Sequence, residues 1–93
     1  MFWMFVILAA SANPHVEKGR EYLSKKMVEP AILDFNQCID KEPNDTECHW
    51  EMGWALWLKN DWEGVVKHWK MVEAVEPERE GLKKYLRQAT DQN

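Results

Sequence analysis

Apolar residues recur every three or four positions along most of the chain, and polar breaks divide that recurrence into five stretches. Asn13 can cap a helix and Pro14 suits its first position, so the first helix is expected to carry Val16, Gly19, Tyr22 and Leu23 at helical spacing up to Lys26. Met27-Val28-Glu29-Pro30 breaks the run, and a second helix is expected from Pro30 through Ile32, Phe35, Cys38 and Ile39. Pro43 cannot continue it. Asn44 or Asp45 then caps the third helix, with Glu47 three residues after Asn44 as in a capping box, and that helix runs to about Leu58. Asp61 caps a fourth, which carries Trp62, Val65, Val66, Trp69 and Val72 and stops before Pro77. The fifth is expected from about Glu78, with Leu82, Tyr85, Leu86 and Ala89 inward and Lys83, Lys84, Arg87 and Gln88 outward. No strand pattern competes. The pattern predicts an all-α domain of short helices with short connections, hence antiparallel neighbours.

The third stretch is unusual. Between Cys48 and Trp69 lie five of the six tryptophans: Trp50, Trp54, Trp57, Trp62 and Trp69. On a helical wheel Trp50, Trp54 and Trp57 share one narrow face, while Met52 and Leu56 fall nearly opposite. A helix apolar on two sides packs on its own domain with one and presents or buries large indoles with the other. Trp62 and Trp69 fall in the apolar stripe of the fourth helix and are assigned to the core.

Self-comparison adds a repeat. Gly19 and Gly53 are 34 residues apart, as are Tyr22 and Leu56, Val28 and Trp62, Ala31 and Val65, Phe35 and Trp69, Cys38 and Val72, and Pro43 and Pro77. Each pair keeps a physical type. Glycine lets two helices approach, the aromatic fills the layer below, and proline closes the unit. On Gly19, Tyr22, Ala31, Phe35 and Pro43, and again on Gly53, Leu56, Val65, Trp69 and Pro77, the chain resembles the tetratricopeptide repeat (TPR) family. The resemblance implies two helix-turn-helix repeats, about 12–45 and 46–79, and a C-terminal capping helix, about 78–90, stacked as a short right-handed α-solenoid over 13–93. It also implies a concave groove for a peptide, lined by Val16, Arg20 and Leu23, then Trp50, Trp54 and Trp57, then Lys84 and Gln88. Some members of the family clamp a C-terminal carboxylate with Lys, Asn and Arg. Val16 and Trp54 stand where that clamp needs Lys and Asn, so a carboxylate clamp is not implied.

Composition sets the class. The 93 residues suffice for one small domain, and 45% hydrophobic with 30% charged residues is globular. A net charge of -4 argues against nucleic acid as a partner. Met1 to Ala10 is wholly apolar, and Ala10-Ser11-Ala12 has the small-x-small form of a signal-peptidase site. Twelve residues of helix span about 18 Å, too short for about 30 Å of hydrocarbon. Residues 1–12 are therefore expected to be a signal peptide. An uncleaved N-terminal anchor, which would be the chain's one link to a membrane, and an apolar segment packed on the domain are the alternatives. Export, to a periplasm or to the outside, would permit the one disulfide that Cys38 and Cys48 can make. Otherwise both are buried small apolar residues.

Candidate chemistry is sparse. A metal site of Cys38, Cys48 and His49 lacks a fourth ligand and zinc spacing. His15 and His49 are one repeat apart and read as structural, and no nucleophile and base are suggested, so no enzyme, cofactor or metal is expected. The expected function is a non-catalytic interaction module or scaffold. It would bind a protein or peptide on the tryptophan groove, with Arg20 and Lys84 flanking it and favouring an acidic or polar segment. The alternative is a structural subunit or homodimer that uses the same tryptophans for assembly. Glycan binding on stacked indoles is less favoured, because carboxylates and amides to read hydroxyls are not nearby.

Overall fold

A computed structural model describes residues 13–93. The expected signal peptide and its Ala10-Ser11-Ala12 site lie outside the described residues. Within them the chain is all-helical: α1 (Pro14–Ser24), α2 (Val28–Lys41), α3 (Thr46–Leu58), α4 (Trp62–Val75) and α5 (Leu82–Gln92). None of these helices is long and apolar enough to cross a membrane.

Helix ends follow local chemistry. The Asn13 side chain accepts from the His15 amide, and Pro14 opens α1. At α3 the cap is Asp45, whose carboxylate accepts from the Glu47 and Cys48 amides. The capping box expected from Asn44 does not form, because the Glu47 carboxylate is bonded to Arg20 and Arg79 instead. α2 begins at Val28, two residues before Pro30, since a proline in the first turn loses no helical hydrogen bond. α5 begins at Leu82 and not near Glu78. The stretch 76–81 is a turn in which Gly81 takes φ 83°, a conformation open to glycine.

The two helix hairpins end and turn alike. Lys26 and Asn60, 34 residues apart, are the two non-glycine residues with positive φ among those described (62° and 61°). Around them the same bonds recur: the amides of Lys25 and Met27 donate to the Tyr22 carbonyl, and those of Lys59 and Asp61 to the Leu56 carbonyl. The cap position of the helix that follows is Met27 in one unit, with no side-chain hydrogen bond, and Asp61 in the other, where Oδ1 accepts from the Gly64 amide. Asp61→Ala should therefore cost about 1 kcal/mol in urea unfolding, whereas Met27→Ala should leave the start of α2 uncapped, as it already is.

Glycines set the spacing inside each hairpin. A Cβ built on Gly19 would overlap the Phe35 ring, and one on Gly53 would overlap the Trp69 indole. Phe35 and Trp69 are both fully buried. Three apolar clusters run along the molecule: Val16 with Cys38 and Cys48; Ala31 and Phe35 with Met52 and Ala55; and Val65, Trp69 and Val72 with Leu82, Leu86 and Ala89. The middle cluster joins the first hairpin to α3, and the last joins α4 to α5. α1 packs on both α2 and α3, while α5 packs on α4. Tyr85 of α5 also meets Trp54 and Trp57 of α3. α3 thus lies between α1 and α5, with α2 and α4 behind.

Candidate functional site

α3 carries the candidate surface, and its tryptophans are mostly engaged by the protein itself. Trp69, from α4, is the centre. Its indole stacks on Trp50 at 4.9 Å between centroids, meets Trp54 edge-on at 4.8 Å and lies 5.8 Å from Trp57. Its Nε1–H donates to the Trp50 carbonyl at 3.1 Å, so the most buried indole leaves no unpaired donor. Trp54 meets Trp57 at 5.4 Å, and both reach Tyr85, at 5.1 and 5.9 Å. Trp57 closes the cluster against Trp62. Five indoles and a phenol therefore form one aromatic body filling the junction of α3, α4 and α5. Trp50, Trp54, Trp57 and Trp62 are half-buried, and each keeps an exposed margin. The assignment of Trp69 to the core holds. Trp62 is only half-buried, packed against the same cluster.

A charged network lies beside the indoles. Arg79, in the turn before α5, spreads its guanidinium 4.7 Å over the Trp50 ring and binds Glu47 through two nitrogens, at 2.7 and 3.1 Å. One of those nitrogens also reaches Glu76. Glu47 in turn accepts from Arg20 at 2.9 Å, and Arg20 reaches Glu51 at 2.8 Å and Glu17 at 3.5 Å. The Arg79 hydrogen bonds hold the Glu47 carboxyl below the usual carboxylate range against the opposing effect of partial burial, and the Arg79 and Arg20 charges reinforce them. The chain Arg20–Glu47–Arg79 ties α1 to α3 and α3 to the turn leading to α5.

Against this arrangement the expected groove residues divide. Trp50, Trp54 and Trp57 come together as a face. Lys84 is exposed, with its ammonium 5.4 Å from the Tyr85 ring and no carboxylate partner among the described residues; Gln88 is exposed. Leu23 is half-buried against the cluster of Ala31, Phe35, Met52 and Ala55. Val16 does not belong with them. It is 3% exposed, packed with Cys38 and Cys48, and cannot line a groove. Arg20 is exposed but matched by three carboxylates, so it offers no free charge to draw an acidic segment. Cys38 and Cys48 are bonded, with Cα atoms 6.0 Å apart. The sulfurs lie near Asp45, whose carboxylate caps α3. His49 turns away from them, toward Pro43 and His68.

Comparison with known proteins gives no match. Neither the protein-family models, nor the curated proteins, nor the solved structures contain a significant relative. The functional reading therefore rests on geometry.

Sequence reading missed Arg79 as the cover of Trp50, and Tyr85 as the residue that joins α5 to the tryptophans. By pattern Arg79 fell in the first turn of the helix expected from about Glu78, with nothing to mark it as a partner of Trp50. Only folding brings it 32 positions back to Glu47. Tyr85 was expected to point inward, without its partners being named.

Proposed function

We propose that the chain is a tetratricopeptide-like, non-catalytic module that binds a protein or peptide segment on the exposed margins of Trp50, Trp54 and Trp57. The observation that carries this is the position of the three indoles. They sit on successive turns of the helix flanked by α1 and α5, half-buried and backed by a rigid aromatic body. Rigid indoles bury area at little entropic cost, which suits a contact surface. The partner would lay apolar or aromatic side chains on those margins. Lys84 would offer a hydrogen-bond donor and positive charge at the α5 edge, with Gln88 one turn further on. Arg20 and Leu23 would bound the surface on the α1 side.

The repeat assignment is supported by the matched turns at Lys26 and Asn60 and by the two glycine–aromatic contacts 34 residues apart. Residues 13–93 then form two repeats and a capping helix. The disulfide supports an exported location, since such bonds persist in oxidising compartments. Residues 1–12 would be the export signal.

Photo-crosslinking in the native compartment, comparing wild type with Trp54→Ala, tests the reading. One defined crosslinked species should fall at least tenfold in the variant while its far-UV circular dichroism stays that of a folded helical protein. Unchanged crosslinking by a folded variant rejects the tryptophan surface. If light scattering finds a dimer that Trp54→Ala dissolves, the surface is an assembly interface between copies and not a groove for a foreign segment.

A further inference from the structure

His49 and His68 form a hydrogen-bonded pair across the α3–α4 seam, and the proposed binding surface makes no use of it. His49 is 4% exposed. Its Nε2 is 2.7 Å from the Pro43 carbonyl, which can only accept, so Nε2 carries a hydrogen. In the neutral ring Nδ1 is then a bare acceptor, and it faces Nδ1 of His68 at 2.9 Å, which must donate. One rung further along both helices, Trp69 donates to the Trp50 carbonyl. The histidine pair and the central indole thus hold the same two helices at adjacent steps.

We propose that the His49–His68 contact is an acid-sensitive latch on α4: it holds with no extra proton or with one, and opens when both rings are charged. The proton count follows from the geometry. A first added proton leaves one N–H between the rings, whichever imidazole holds the charge, and the bond becomes charge-assisted. A second puts an N–H on both facing nitrogens. Two donors and two like charges then stand 2.9 Å apart, and the bond is lost. The surroundings resist that second proton. The charged groups among the described residues that act on His68 are His49 from α3, Lys67 from its own helix and, in the opposite sense, Asp61 at the α4 cap. Burial first, then the charges of His49 and Lys67, push His68 down from 6.5 to about 4.

The sign is fixed by linkage. In the unfolded chain the His68 ring protonates near pH 6.5, whereas in the folded protein it does so only near pH 4. At His68 the unfolded state therefore binds more proton between those values, and the stability of the seam falls as pH falls through that window. The corresponding place in the first hairpin is built differently. His15 Nδ1 faces Asp34 at 3.4 Å, so a protonated ring there meets a carboxylate. Acid loosens α3–α4 by this route while leaving α1–α2 free of that repulsion, and the residues it uncovers are Trp50 and Trp69.

The tryptophans are the reporter. The full chain, kept in solution with a mild non-ionic detergent, is titrated from pH 7.5 to 3.5 by tryptophan emission and near-UV circular dichroism, beside His68→Gln and, as control, His15→Gln. Glutamine can donate to His49 but cannot take a proton. Carboxylates in general also titrate toward the acid end of this range, so the comparison between variants carries the result. Wild type and His15→Gln should show a red-shifted emission transition between pH 5 and 4, and His68→Gln should move it about one pH unit lower. Coincident transitions in wild type and His68→Gln overturn the latch. If His68→Gln does not fold, imidazole NMR on the wild type decides: one histidine resisting protonation to near pH 4 and titrating with the tryptophan change supports the latch. All three histidines protonated by pH 5.5 with native emission overturns it.

Discussion

Gly53→Ala should lower the stability of the domain by about 3 kcal/mol, near the upper end of the cost of forcing an extra methyl into a packed core. On helix propensity alone the change should help, by up to about 1 kcal/mol. The opposite sign is expected because the added Cβ would fall inside the indole of Trp69. That indole has nowhere to go. It is fully buried, stacked on Trp50, edge-on to Trp54, and tied by Nε1–H to the Trp50 carbonyl. α3 and α4 must therefore separate, or Trp69 must leave its hydrogen bond and take the aromatic cluster with it. For a domain of this size the loss corresponds to a fall in Tm of roughly 15 °C. Differential scanning calorimetry checks it. A Tm unchanged or raised by Gly53→Ala would mean that the close approach is not real. Trp69→Phe should recover part of the loss, since Phe35 is the ring that faces the matching glycine in the first hairpin, and a pair in contact is expected to be non-additive.

That glycine also shows what could be read in advance. Gly19 and Gly53 were legible as close-approach positions because each repeats with an aromatic sixteen residues later, and the structure puts those aromatics on them. Period and type carried the information. The helix starts were legible where a side chain supplies the cap, as at Asn13 and Asp61. Where two candidates adjoin, as at Asn44 and Asp45, the pattern left the choice open; the cap is Asp45, and the capping box from Asn44 does not form. A capping box needs Glu47 to turn back along its own helix, and Arg20 and Arg79 make a stronger claim on it. The start of α5 was placed early because Pro77 closes the preceding unit and the next helix was expected directly after it, whereas the chain spends 76–81 in a turn that sets Arg79 over Trp50.

The candidate surface was legible in part. A wheel shows that Trp50, Trp54 and Trp57 share a face. It does not show what lies opposite that face, because Tyr85, Trp69 and Arg79 arrive from other segments. Val16 was assigned to a groove by position within a repeat. Its burial against Cys38 and Cys48 follows from the disulfide at that end of the molecule, which draws the start of α3 toward the end of α2 and over α1.

Replacing both cysteines, as Cys38→Ala with Cys48→Ala, should cost roughly 2 to 3 kcal/mol, the entropy that a loop of about ten residues no longer loses in the unfolded chain. Alanine keeps the site apolar, so the measured loss reports the crosslink more than an unsatisfied hydroxyl. The bond joins the last turn of α2 to the first turn of α3, the junction between the two hairpins, where only Glu42 to Asp45 otherwise connect them. Two consequences separate this effect from loss of packing. In urea unfolding the m-value should rise, since the uncrosslinked unfolded chain exposes more surface. Amide exchange should quicken most in α1 and α2, whose hold on α3 rests on the bond, the cluster around Phe35 and Met52, and the Arg20 pairs. α4 and α5 should keep their protection, because the aromatic body that joins them to α3 is untouched. A variant within about 0.5 kcal/mol of wild type would reject the crosslink as a stabilising element, and equal loss of protection in all five helices would reject the division into two separately yielding halves.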